Sequence, residues 1–182
     1  MTHPPARPWW NQDVDVPALL IEVYDRIPLL GRQAVDGVSP DLLTEAPSPG
    51  HNPIGWLLWH TGRIQDHHVS ELVGEDQLWT SGAWARRFGL DPDPSNTGYG
   101  HSPADVAAVR PDGAEVLVDY LDAVSDRTRT VLDGLGPDDL DRVVDRRWDP
   151  PVTMGVRLVS VADDGLQHLG QAAYVRGLLL PS

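Results

Sequence analysis

Asp164 and His168, four residues apart, and His60 far upstream are the side chains best placed to do chemistry in this chain. Residues at i and i+4 of an α-helix project from successive turns of one face, so Asp164 and His168 can address a single point. They share a stripe with Val161, Ala172 and Val175, while His60 shares another with Leu57, Ile64 and His67. At a period of 3.6 residues both stripes face inward. A carboxylate among apolar neighbours is costly unless its charge is compensated. A divalent cation held by Asp164, His168 and a third ligand, His60, on a facing helix would compensate it; a pair at i, i+4 plus one distant ligand is the geometry of helical metal sites. Three protein ligands leave coordination positions open, which suits reaction rather than structure. A hydrogen-bonded core histidine with an ion-paired or capping aspartate is the plainer reading, and spacing alone leaves both open.

Four long segments of helical periodicity must position these residues, with Gly and Pro (17 of each) as punctuation. The first runs from about Pro17 to Val35, with Leu20, Val23, Tyr24, Ile27, Leu30 and Ala34 at helical spacing. Pro28 inside it predicts a kink or break. Ser39 as N-cap and Pro40 at the first helical position predict a short turn of helix. The second segment runs from Asn52 to about Val73, opened by Asn52-Pro53 and stopped by Gly74. The third starts after Asp112 and reaches about Leu135, with Val116, Tyr120, Ala123, Val124, Thr130 and Val131 as inward candidates. The fourth runs from about Thr153 to Leu179.

Between the second and third lies an irregular stretch from Glu75 to Pro111, with short helices expected around Trp84 to Phe88 and after Ser102-Pro103. A loop this long is usually functional or disordered, and its Trp, Tyr and His content favours an ordered lid. A short extended piece near Val143 is the one strand signal. The expected fold is an all-α four-helix bundle with a long crossover between helices 2 and 3. One domain is expected over residues 1–182, with residues 1–12 as an irregular N-terminal arm.

Composition narrows the function. The formal charge is −13 and the pI about 4.7, which argues against sequence-independent binding to nucleic acid or anionic membranes. The acidic residues are spread along the chain and read as solvated helix faces. There is no Cys, so a disulfide framework, a thiolate-ligated zinc and a protein thiol nucleophile are all excluded, and any thiol chemistry needs a small-molecule thiol. No apolar run is long enough to span a bilayer, and Met1 to Trp10 lack a signal-peptide apolar region; the expected compartment is the cytoplasm.

The segment Trp56-Leu57-Leu58-Trp59-His60, followed by Arg63 and Gln65-Asp66, resembles the second helix of the DinB-like (damage-inducible) four-helix metalloproteins. Asp164-Gly165-Leu166-Gln167-His168-Leu169-Gly170-Gln171 resembles their last helix, and the resemblance covers nearly the whole chain. In that superfamily a His on the second helix and an H-x-x-x-H pair on the fourth bind the metal, which implies His60, Asp164 and His168 here. Asp164 departs from the pattern, standing where the family has His. The stretches Asn96 to Pro103 and Trp148 to Val161 resemble the mycothiol-transferase branch. That resemblance implies a divalent-metal-dependent thiol S-transferase, with a mycothiol-like thiol as co-substrate and an electrophilic small molecule as acceptor.

Two His and one carboxylate suit zinc, the first expectation, but nickel and non-haem iron(II) are also compatible. Neutral ligands leave a metal more positive and lower the pKa of a bound thiol further; a carboxylate tempers that effect. His67, one heptad from His60, and Tyr99 in the long loop are the candidate catalytic residues, with His101 able to close over the metal beside Tyr99. Arg157 and Gln171 are the candidates for holding the co-substrate: Arg157 as a clamp on a substrate carboxylate, Gln171 by orienting a ligand or substrate. For each there is a plain alternative: a solvated His67, a salt-bridged Arg157, a surface Gln171. Asp66 reads as surface, although the resemblance keeps it in play as partner to a ligand histidine. His68 points about 100° away from His67, and Trp56, Trp59 and Trp148 read as packing. A hydrolase, an oxygen-using iron enzyme and a non-catalytic stress-associated metal- or ligand-binding protein remain as alternative functions. Bundle folds often bury a spare helix face, so a homodimer is expected, although no motif specifies one.

Overall fold

The computed structural model describes residues 15–180, so the expected N-terminal arm lies outside the described residues. The first position of the bundle is filled by two helices, α1 (Val16–Tyr24) and α2 (Arg26–Val35), interrupted at Asp25. Pro28 has no N–H to donate to the Tyr24 carbonyl and its ring crowds that carbonyl, so the break falls just after Tyr24. The Asp15 side chain caps α1 by accepting from the Ala18 N–H at 2.8 Å. A short α3 (Pro40–Leu43) follows Ser39, whose side chain makes no capping bond.

The second bundle helix, α4 (Ile54–Val73), starts with Pro53 as its N-cap, slightly later than the Asn52-Pro53 signal implied. It ends at Gly74, whose φ of 72° is the left-handed conformation that glycine adopts without a Cβ clash. The crossover holds three short helices, α5 (Leu78–Ser81), α6 (Trp84–Arg87) and α7 (Pro103–Ala108). Ser102 and Asp105 close a capping box at the start of α7. The third bundle helix is α8 (Ala114–Asp133), and a 3₁₀ turn at Pro137–Asp141 leads out of it. β1 (Val143–Asp145) pairs antiparallel with β2 (Val152–Thr153), making a small hairpin of the piece expected near Val143. The last helix, α9 (Met154–Leu179), is capped by Thr153, whose hydroxyl accepts from Val156 N–H.

The central helix is α4, which packs most extensively on α9 and α8, while α2 fills the groove between those two and α1 lies on α8. Ile27, Leu57, Leu58, Leu121, Leu158 and Leu169 form the middle of the core. Along α8 the buried residues are Val116, Leu117, Tyr120, Leu121, Val124, Thr128 and Leu132. Thr130, expected inward, is exposed because it falls outside that 3–4 spacing and bonds back to Asp126 O instead. The crossover is no loose lid: it plants Trp79 and Phe88 beneath Trp59 and Tyr120, with ring centroids 5.7–6.0 Å apart. Among the described residues no helix is long and apolar enough to cross a membrane.

Candidate metal centre

His60 faces α9 from the middle of α4, and its surroundings leave one ring nitrogen to offer. Its Nδ1 donates to the Thr97 carbonyl at 2.5 Å, which leaves Nε2 as the lone-pair nitrogen. Trp56, one turn earlier, stacks on the imidazole at 4.7 Å and an interplanar angle of 12°. The Trp56 indole N–H donates to His101 Nδ1 at 3.1 Å, and His101 Nε2 donates to Asn96 Oδ1 at 2.8 Å. Trp56 therefore does more than the packing expected of it. Gly98 allows the loop this approach: a Cβ there would sit 2.7 Å from His60 Nδ1 and 2.9 Å from the Trp59 ring, and its φ is +95°.

The loop is tied down by two buried charges on α4. Arg63 donates to Asn96 O at 3.0 Å, Pro94 O at 3.2 Å and Gln77 Oε1 at 2.8 Å. Asp66 accepts from the backbone N–H groups of Leu78 and Trp79 at 3.0 and 2.8 Å and from the Tyr120 hydroxyl at 2.8 Å. The expected surface position of Asp66 is thus corrected. It is buried because the crossover folds over it and supplies its donors, and it holds backbone rather than a ligand histidine.

On α9, Asp164 and His168 face His60 as their spacing implies. Asp164 Oδ2 is 3.8 Å from His60 Nε2, and Asp164 Oδ1 is 3.5 Å from His168 Nε2. One donor atom from each residue lies within 4.8 Å of the other two. His168 Nδ1 donates to Gln171 Oε1 at 3.1 Å, so this imidazole also presents Nε2. Gln171 is placed to orient His168. The Asp164 side chain is 35% exposed, wetter than an inward stripe suggested, yet its Oδ2 is buried with no hydrogen-bond partner.

Burial lowers the pKa of His60, opposed by the Thr97 carbonyl and Asp164. Burial pushes Asp164 up, but His168 and His60 outweigh it and hold the carboxyl below its ordinary value. The adjoining Asp164 carboxylate raises His168 above its own. An orphaned buried carboxylate oxygen, two imidazoles with their second nitrogens already engaged, and spacings a little wider than the roughly 3.4 Å between ligands of a tetrahedral ion fit a divalent metal.

Two sequence candidates are not brought to this group. His67 lies two turns along α4, its Nδ1 is 3.1 Å from Gln77 Nε2, and it clusters instead with His68 and Glu71. Tyr99 is 93% exposed, because the positive-φ glycines on either side of it turn the loop so that Thr97 and Gly98 face inward. The neighbouring cavity, of about 380 Å³, is lined by Asp164, His68, Arg157, Asp145, Arg147 and Trp148 among others. Arg157 does make the salt bridge anticipated for it, to Asp145 Oδ2 at 3.1 Å, and also donates to His68 Nδ1 at 2.8 Å. Trp148, expected to pack, is 65% exposed at the cavity, since the hairpin carries it away from the core.

Residues 30–172 match the model of the DinB superfamily. The chain belongs to the DinB superfamily. A similar solved structure is the crystal structure of a conserved protein from Enterococcus faecalis, with 34% sequence identity and a TM-score of 0.86 over 93% of this chain and 99% of that one. No curated protein matches significantly. Within this DinB-superfamily chain, Thr97, Gly98 and Asp145 are site residues that the sequence did not single out, and His68, read as turned away, lines the cavity instead. The Gly98-Tyr99-Gly100 spacing was a usable signal for a tight inward turn, whereas nothing local marks Asp145 as buried or turns His68 toward α9.

Proposed function

We propose that this protein is a divalent-metal-dependent thiol S-transferase that joins a mycothiol-like thiol to an electrophilic small molecule. The observation that carries the reading is the convergence of His60 Nε2, His168 Nε2 and the partnerless Asp164 Oδ2 beside an open cavity. A divalent metal in that group would supply Lewis-acid chemistry, favouring the thiolate form of a thiol at neutral pH. Thr97 and Gln171 hold the two imidazoles in the tautomer that presents Nε2. Trp56 and the Asn96–Gly98 turn close the α4 side against water. In the overall reaction the thiol releases its proton to solvent, its sulfur bonds to the electrophilic carbon, and the leaving group departs with the bonding pair.

Incubation of the zinc-loaded protein with mycothiol and monochlorobimane tests this reading, with the fluorescent conjugate as readout. Absence of a metal-dependent conjugate, with folding and metal occupancy intact, refutes it. The carboxylate in the donor set favours a second reading, an iron(II) site using oxygen, for which oxygen consumption by the iron-loaded protein is the test.

A further inference from the structure

The hairpin carries Asp145, Arg147 and Trp148 to the open side of Asp164, where α9 adds Arg157 and α4 adds His68. The Asp145 side chain is 6% exposed, and both of its oxygens are taken by arginine. Oδ1 accepts from Arg147 Nε and backbone N–H at 3.0 and 2.9 Å. Oδ2 accepts from Nη2 of Arg147 at 2.8 Å and Nη2 of Arg157 at 3.1 Å. Two guanidinium groups thus share the Asp145 carboxylate, and with Asp164 in the same lining the positive charge of the two arginines is matched rather than exceeded. His68 does not add to it: burial and the adjoining Arg157 lower its pKa to about 4, so it stays neutral and accepts from Arg157. Glu71, near His68, is exposed and lies outside the cavity lining.

The cluster still has donors to give. Among the described residues, Arg147 Nη1 and Arg157 Nε have no protein acceptor. The Trp148 ring, exposed at the same cavity, supplies a flat apolar wall. A planar guanidinium fork matches a carboxylate, whereas a dianionic phosphate would add a second negative charge to a lining whose two arginines are already balanced by Asp145 and Asp164.

We propose that this cavity binds a small molecule bearing a carboxylate, with Arg147 and Arg157 on its oxyanion, Trp148 against its planar or apolar part, and its other end toward Asp164. Only the assignment of this ligand as the electrophile rests on the transferase reading; the charge and shape of the cavity do not.

Titration calorimetry of the full-length protein with benzoate, its neutral isostere benzamide and inorganic phosphate is the test, run without any thiol. Saturable binding of benzoate, with benzamide and phosphate at least tenfold weaker, is the expected result. Arg147→Gln weakens benzoate about tenfold by removing a charged hydrogen bond. Its side chain is 81% exposed, so the fold should survive, with far-UV circular dichroism as the check. Trp148→Ala weakens benzoate and benzamide together. Equal affinity for benzoate and benzamide, tighter binding of phosphate, or benzoate binding unchanged in Arg147→Gln overturns the proposal. Benzoate binding without any mycothiol conjugate refutes the transferase reading alone, and conjugate formation without benzoate binding refutes the carboxylate site alone.

Discussion

The carbonyl oxygen of Thr97 lies 2.5 Å from Nδ1 of His60, and this bond decides which nitrogen of the imidazole is turned to Asp164. A backbone acceptor from the crossover therefore tunes a side chain on α4 toward a side chain on α9. The crossover belongs to the site because it sets the tautomer, although its one tyrosine, Tyr99, points to solvent.

Gly98→Ala should damage that relationship specifically. A methyl group 2.7 Å from His60 Nδ1, at a φ of +95°, forces the turn outward and releases the imidazole. Zinc affinity by chelator competition should fall about 10- to 100-fold, the usual cost of losing a residue that orients a ligand. Gly100→Ala has comparable backbone strain but nothing within 4 Å of its Cβ, and should leave zinc affinity near wild type. Equal affinities in both variants would separate Thr97 from metal binding.

Metal binding should also appear as stability. Zinc held at a hundredfold over its Kd should stabilise the fold by about 2.7 kcal/mol, seen as a raised Tm that EDTA reverses. His60→Ala, Asp164→Ala and His168→Ala should each abolish the Tm rise and the bound metal measured by elemental analysis. Unchanged metal stoichiometry in three folded variants means that these residues are not the ligands.

Asp66 should prove the most sensitive single position in the crossover's anchorage. Asp66→Ala removes the acceptor for Leu78, Trp79 and Tyr120 and leaves Arg63 a buried, uncompensated charge. Urea denaturation should show a loss of about 3–5 kcal/mol. Tyr120→Phe removes one of those bonds and should cost about 1 kcal/mol. Similar losses from both variants would show that Asp66 does not act through the crossover backbone.

His68 should make stability depend on mildly acidic pH. Its pKa is lowered from 6.5 to about 4 in the folded chain, chiefly by burial and then by Arg157. Between those values the unfolded chain binds the proton and the folded chain does not, so stability is present above pH 6.5 and is lost as pH falls toward 4. Because His60 shifts the same way and His168 the opposite way, the informative quantity is the wild-type slope minus that of His68→Gln. That difference should be positive, with stability rising with pH, in urea titrations between pH 4 and 6.5; identical slopes would mean that His68 is not desolvated in the folded state.

By itself the sequence determined the four bundle helices, the break before Pro28, the stop at Gly74, and the shared face of Asp164 and His168. These are local matters, set by helical period and by the backbone limits of proline and glycine, and the all-α bundle follows from them. Only the tertiary structure decided what each polar group meets. Asp66 became buried, His67 went to Gln77 while His68 and Trp148 reached the cavity, Tyr99 turned outward, and Asp145 met Arg157 of α9 beside its near neighbour Arg147. Helical phase places a side chain only to within a face, whereas a hydrogen bond needs its partner within a few tenths of an ångström. The backbone partners of His60 and Asp66 come from a crossover 12 to 37 residues away in sequence, and no local pattern encodes where such a segment lands.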